Sequence, residues 1–266
     1  MPRDVNLFVA AHPDDETIGA AVAVCEMPIS YVAHVTDGAP RDMTDARRLG
    51  LLSRGRYALQ RRQEARRALR LAGLRPTRLH NLGGVDRESW YHLPALVRRL
   101  VLLLRRLKPT AVWTHPYEGG HPDHDATAFI VHAARALLGP QQPRFVLMEF
   151  ASYHAGLRGQ MVRGSFLQPN AASDGDAPVL LRSLGQGERA RKRAMMGCYV
   201  TQRQVLEMFP LDRECFREAP RYQFLRAPHP GPLYYEQQPW GTAGHDWRRK
   251  VQQAAVALGL DPHTAL

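Results

Sequence analysis

Apolar and polar positions along this chain follow two alternating rhythms. Short apolar runs of strand length are separated by longer stretches in which apolar residues recur every three or four positions. The first run, Val5 to Ala10, predicts a buried strand, and Ile18, Ala21, Val22 and Cys25 then recur at helical spacing over a helix from Asp15 to about Cys25. Ile29 to Val35 predicts a second strand, closed by Thr36-Asp37-Gly38-Ala39-Pro40, and an Arg-rich helical segment follows from Thr44 to Ala72, with a break near Gly50 or Gly55 and Gly73 as its stop. Thr77 to Leu82, Thr110 to Thr114 and Arg144 to Phe150 predict three further strands, preceded or separated by helices over Leu93 to Leu107 and about Asp125 to Leu138.

Strands alternating with helices of this length specify βαβ units with right-handed crossovers. The predicted fold class is therefore α/β, a Rossmann-like three-layer sandwich around a mostly parallel sheet. With the common strand order 3-2-1-4-5, strands 1 and 4 are neighbours at the switch point, where ligands bind beyond the carboxyl ends of the strands. After Phe150 the rhythm weakens. Met161 to Leu167 and Val179 to Leu184 predict a hairpin around the Asn170–Asp176 loop, Glu188 to about Phe209 a helix, and Pro220 to Trp240 a Pro- and Tyr-rich closing segment. We expect one domain over residues 1–266, with 151–266 a less regular elaboration, since a core of this size needs no staples.

Composition narrows the function classes. Cys25, Cys198 and Cys215 show no paired spacing, which indicates neither a disulfide framework nor a cysteine metal site and fits a cytoplasmic protein. The start of the chain lacks the features of a secretory signal, and arginines at 98, 99, 105 and 106 interrupt the most apolar stretch, so no membrane span is expected. The formal charge is +11. Lys108, Lys192 and Lys250 are the only lysines among 36 basic residues, and the arginines are spread along the chain without interleaved aromatic residues, which argues against nucleic acid as the partner.

Chemistry concentrates at two places. Ala11-His12-Pro13-Asp14-Asp15-Glu16 follows the first strand, and His121-Pro122-Asp123-His124 follows the fourth after a short loop, so the topology brings both to one crevice. Catalytic zinc sites take three protein ligands from His and carboxylate and leave a place for water. His12 and Asp15, three residues apart across a stiff Pro13 turn, supply two. His124, at the predicted helix start, is the better third ligand, and His121 is better placed to donate a proton or stabilise an oxyanion. Asp14 is then free to take a proton from water, and Asp123 is the expected orienting partner of the His121 ring.

Together these two segments resemble the hallmark motifs of the PIG-L/LmbE-type zinc-dependent N-acetylglucosaminyl de-N-acetylases. The resemblance covers roughly residues 5 to 150, supported by Thr36-Asp37-Gly38 and Arg61-Arg62-Gln63-Glu64-Ala65. It implies zinc ligands at His12, Asp15 and His124, with another divalent ion such as Fe2+ as an alternative metal. It implies a general base at Asp14, assistance to the tetrahedral intermediate from His121 with Asp123 behind it, and sugar contacts from Arg62 (or Arg61) and Asp86. The implied substrate is a small amino sugar, from which an N-acetyl group is removed; the rival readings are an amidase for a larger acyl group or a thiol-sugar conjugate, and a non-catalytic sugar- or nucleic-acid-binding protein. One departure stands out: some thiol-sugar deacetylases of the family carry tyrosine two residues before the first His of the second motif, where this chain has Gly119.

Overall fold

A computed structural model describes residues 4–139, 144–156, 158–175 and 177–266. Asp176, at the end of the predicted loop, lies outside them. Strand β1 (Val5–Ala10) pairs in parallel with β2 (Ile29–Thr36) on one side and β4 (Ala111–Thr114) on the other; β3 (Leu79–Gly84) extends the sheet beyond β2, and β5 (Val146–Phe150) beyond β4. The order 3-2-1-4-5 is as the sequence predicts. Two more strands continue it antiparallel, β9 (Arg213–Glu218) on β5 and β8 (Leu180–Ser183) on β9, giving seven strands in one sheet.

Side-chain alternation explains why β1 is apolar throughout. Leu7 and Val9 face a core shared with α4 (Leu93–Leu107), α5 (Pro122–Leu138) and α8 (Gly244–Ala257), whereas Phe8 and Ala10 face a second core beneath α1 (Asp15–Glu26). α3 (Arg54–Leu71) and α6 (Gln186–Met196) pack beside α1. Among the described residues, no helix is long and apolar enough to cross a membrane.

The Thr44–Ala72 segment divides at the expected break into α2 (Thr44–Arg48) and α3, because Gly50 adopts a positive φ of 70° that ends the first helix. Three other sequence-based readings are corrected. α5 starts at Pro122 rather than Asp125, with proline in the first turn where its missing N–H costs nothing. Glu188–Phe209 is not one helix: α6 stops at Met196, and a single 3-10 turn leads into the short α7 (Arg203–Leu206). The predicted hairpin between Met161–Leu167 and Val179–Leu184 does not form. β7 (Met161–Arg163) instead pairs antiparallel with β6 (Tyr153–Ala155), flanked by the Gly156 N–H to Gln160 O bond (2.7 Å), and β8 finds its partner in β9, which also pairs with β5.

Candidate metal centre

The two motifs meet beyond the carboxyl ends of β1 and β4. Asp15 opens α1 and shares its carboxylate among three rings: Oδ2 lies 3.1 Å from His12 Nδ1 and 3.3 Å from His115 Nε2, and Oδ1 lies 3.3 Å from His124 Nε2. Burial alone would raise the Asp15 carboxyl, but His124, His115 and His12 hold it well below the ordinary value. Nδ1 of His12 and Nε2 of His124 thus converge on opposite oxygens of one buried carboxylate.

Hydrogen-bond accounting sorts the four histidines, because a neutral ring offers one donor and one acceptor. His115 Nε2 accepts from the Ala11 N–H at 3.1 Å, which occupies its lone pair and leaves it supporting the site from behind. His121 Nδ1 accepts from the Asp123 N–H at 3.1 Å, so the proton of the neutral ring sits on Nε2. Burial, reinforced by His12 and His124, pushes the His121 pKa well below that of an ordinary histidine. His124 Nδ1 lies 3.4 Å from Ser152 Oγ, which leaves its Nε2 free toward Asp15.

The Asp123 carboxylate backs His12 rather than His121, the ring for which the sequence suggests it. The Asp123 carboxylate does not touch the His121 ring. Its Oδ2 lies 3.2 Å from His12 Nε2 and accepts the Arg87 N–H at 2.5 Å, while Oδ1 takes the Ser89 N–H (3.1 Å) and hydroxyl (2.5 Å). The loop after β3 imposes this geometry: Arg87 adopts a positive φ of 65°, which aims its amide at Asp123. Asp123 orients His12 through its side chain and His121 only through its backbone. Asp86 Oδ1 lies 3.2 Å from the same His12 nitrogen yet lacks a hydrogen-bond partner of its own. Burial would lower the His12 pKa, but Asp86, Asp15 and Asp123 reverse this and hold it well above the ordinary value.

This donor set fits a divalent cation. His12 Nδ1 lies 3.1 Å from one Asp15 oxygen and His124 Nε2 3.3 Å from the other, and donor atoms about 2.0–2.2 Å from a tetrahedral zinc lie roughly 3.3–3.6 Å from each other. Asp123 behind His12 is the carboxylate–histidine support typical of metal ligands. Among the described residues, the groups whose donor atoms all lie within 4.8 Å of one another are His12, His121 and His124; Asp15, His115 and His124; and His12, Asp86 and Asp123; the Nε2 proton of His121 and the occupied lone pair of His115 argue against those two rings as ligands.

Asp14 stands apart from the donors and pairs with Arg61, whose Nη2 lies 3.1 Å from Oδ2. Burial pushes the Asp14 carboxyl up to about 7 against the pull of that guanidinium. Arg61 is 3% exposed and enters the centre, whereas Arg62, the residue first assigned, does not. Consecutive helix residues point about 100° apart, and Arg62 lines a separate cavity of about 340 Å³ with Pro13, Asp37 and Asn81.

Residues 7–135 match the family model described as PIG-L: GlcNAc-PI de-N-acetylase. A probable N-acetyl-alpha-D-glucosaminyl L-malate deacetylase 2 of Bacillus anthracis is 30% identical over 159 residues, which span 56% of this chain and 67% of the relative. The chain belongs to the PIG-L family. Among solved structures, the antimicrobial A40926 pseudoaglycone deacetylase shares its fold with a TM-score of 0.59 at 20% identity, covering 81% of this chain and 97% of that one. The N,N'-diacetylchitobiose deacetylase of Pyrococcus horikoshii does so with a TM-score of 0.53 at 18% identity, covering 82% and 84%. At these identities the likeness shows the PIG-L fold alone.

Within this PIG-L chain, any side chain at Gly119, tyrosine included, would be strained. Its φ is +71° and a Cβ there would lie 2.7 Å from Leu233. Tyr117 offers no substitute: its ring stacks on Trp247 and its hydroxyl donates to Arg226 O at 2.9 Å. Sequence reasoning missed Ser89, Ser152 and the Arg87 amide. His115, which directly follows β4, reaches the site by its place at that strand end.

Proposed function

We propose that this chain is a metal-dependent N-deacetylase that hydrolyses the acetamide of an N-acetylglucosamine-type amino sugar or its conjugate. The observation that carries this reading is the division of labour among adjacent side chains: His12 and His124 face the two oxygens of Asp15, and Asp14 and His121 remain beside them, paired with Arg61 and with the Asp123 N–H. His12, Asp15 and His124 would hold the ion, zinc or another divalent metal such as Fe2+. When bound, it supplies a Lewis acid for the amide carbonyl and a lowered pKa for water.

The chain's own groups do the rest. Asp14 removes the proton from the attacking water, and its carboxyl, poised near neutrality, passes that proton to the departing amine nitrogen. His121 donates its Nε2 proton as a hydrogen bond to the developing oxyanion without giving it up, consistent with a neutral ring held below its usual pKa. Asp123 keeps His12 aimed at the donors, and Arg61 fixes the Asp14 rotamer. Asp86, beside His12 with an unpartnered oxygen, is positioned to accept a sugar hydroxyl. The family match and the N-acetylglucosaminyl relative support acetyl as the acyl group and an amino sugar as its carrier.

The test is acetate release from a panel of N-acetylated and longer-acylated amino sugars, with the metal-loaded protein. Acetate from N-acetylglucosamine-type substrates supports the reading. Release of only longer acids, or none from any member, overturns it.

A further inference from the structure

A larger cavity lies behind the wall of the metal centre. Strand β6 carries Tyr153, whose ring packs 5.1 Å from His124. The next side chain, His154, emerges on the opposite face of the strand and lines a cavity of about 780 Å³ between the β6–β7 ribbon and residues 229–237 of the C-terminal segment. No element of the proposed deacetylation uses it.

His154 is 5% exposed, and its Nδ1 lies 2.8 Å from the Ala155 carbonyl oxygen. A carbonyl only accepts, so Nδ1 carries the proton and Nε2 presents a lone pair. That Nε2 is buried and has no partner. His229, across the cavity, repeats the arrangement: its Nδ1 lies 2.9 Å from Pro230 O, and its Nε2 is also buried and unpartnered. Burial favours the neutral form of His154 as well. Two imidazoles therefore line one cavity with unused ring nitrogens, a state that costs free energy unless a donor arrives. Gln160 and Gln237 add amides and Phe166 an apolar face. Among the described residues, no third His, Cys or carboxylate joins the two histidines, which argues against a metal; Arg158 also lines the cavity, but the two unpartnered ring nitrogens inside it are acceptors and call for a donor rather than an anion.

We propose that this cavity is a second saccharide site, in which hydroxyl groups of a pyranose ring donate to His154 Nε2 and His229 Nε2 while the ring face packs on Phe166. The ring is either the distal unit of a longer amino-sugar substrate or a separate saccharide; only the first source rests on the deacetylase reading.

The experiment titrates glucosamine and its β-1,4-linked dimer, which have no acetyl group to lose, into the metal-loaded protein by calorimetry. His154→Phe keeps the ring volume but removes the acceptor, His154→Gln restores one, and His229→Ala tests the opposite wall without disturbing a strand. His154→Phe and His229→Ala are expected to weaken binding of the dimer at least tenfold, and His154→Gln to recover most of it. A loss confined to the dimer identifies the distal unit of one ligand; an equal loss for both sugars, with two ligands bound per wild-type chain, identifies a separate saccharide. No binding by the wild type, or equal affinity in wild type and both acceptor-removing variants, overturns the site. A wild type that binds the dimer in this way but releases no acetate from any acetylated sugar leaves the cavity standing and removes the deacetylase reading instead.

Discussion

Arg61 reaches from α3 to Asp14 with 3.1 Å between Nη2 and Oδ2, and both side chains are buried. The pair ties the Arg-rich helix to the motif turn and keeps a carboxylate ionisable where burial alone would neutralise it. Arg61→Met leaves that carboxylate without its counter-charge, and a loss of about 3–5 kcal/mol in unfolding free energy is expected by urea titration. Because Arg61 lowers the Asp14 pKa and the base works above that pKa, the acidic limb of kcat/KM should move to higher pH in the variant. An unmoved limb would show that the pair plays no part in the proton transfer.

Asp14→Asn preserves shape and leaves His12, Asp15 and His124 untouched. Metal content should therefore remain stoichiometric while kcat falls by roughly 10²–10⁴-fold. Wild-type turnover in this variant would remove Asp14 from the chemistry.

His12 has a carboxylate at each ring nitrogen and a pKa held well above the ordinary value. A ligand nitrogen must be deprotonated, so metal uptake has to expel a proton. Apparent metal affinity is expected to rise between pH 5 and 8, with measurable acid release into weakly buffered solution, and both effects should vanish in His12→Ala. A pH-independent affinity in the wild type would count against His12 as a ligand.

A buried network outside the centre sets a stability trend of the opposite sign. Glu149 Oε2 is 2.7 Å and Glu118 Oε1 3.5 Å from the Arg217 guanidinium, and burial pushes both carboxyls from 4.5 up to about 7 against its pull. Their folded pKa exceeds the unfolded one, so the stability they contribute is fully present below about pH 4.5 and is lost as pH rises through 7. Relative to Glu118→Gln, the wild type should lose on the order of 1–3 kcal/mol of unfolding free energy between pH 5 and 8. Parallel stability curves for the two proteins would dismiss the effect.

Hydrophobic rhythm made the parallel half of the fold legible, because β1, β2 and β4 are buried on both faces and read as continuous apolar runs. The antiparallel extension was not legible. β8 is four residues long with exposed Leu180 and Leu181, and nothing local distinguishes pairing with β9 from pairing with β7. The same contrast holds in the centre. His12, Asp14, Asp15, His121 and His124 are close in sequence to two strand ends, so topology alone brings them together. The partner of Asp123 depends on where the loop carrying Arg87 and Ser89 returns after β3, and the choice between Arg61 and Arg62 depends on the rotational phase of α3 after the break at Gly50. Neither quantity is encoded within a few residues of the motif.

Trp247 in α8 donates to the Pro122 carbonyl at 3.1 Å and packs with Tyr222 and Phe224 in the same core as Leu7 and Val9 of β1. The family match ends at residue 135, so the first turn of the motif-bearing helix is braced by a side chain more than a hundred residues beyond the stretch that the family model matches. What is recognisable by descent and what is self-supporting as matter are, in this chain, different stretches of polypeptide. A fragment cut at the limit of recognisability would carry every proposed ligand of the centre and lack the buttress beneath one of them.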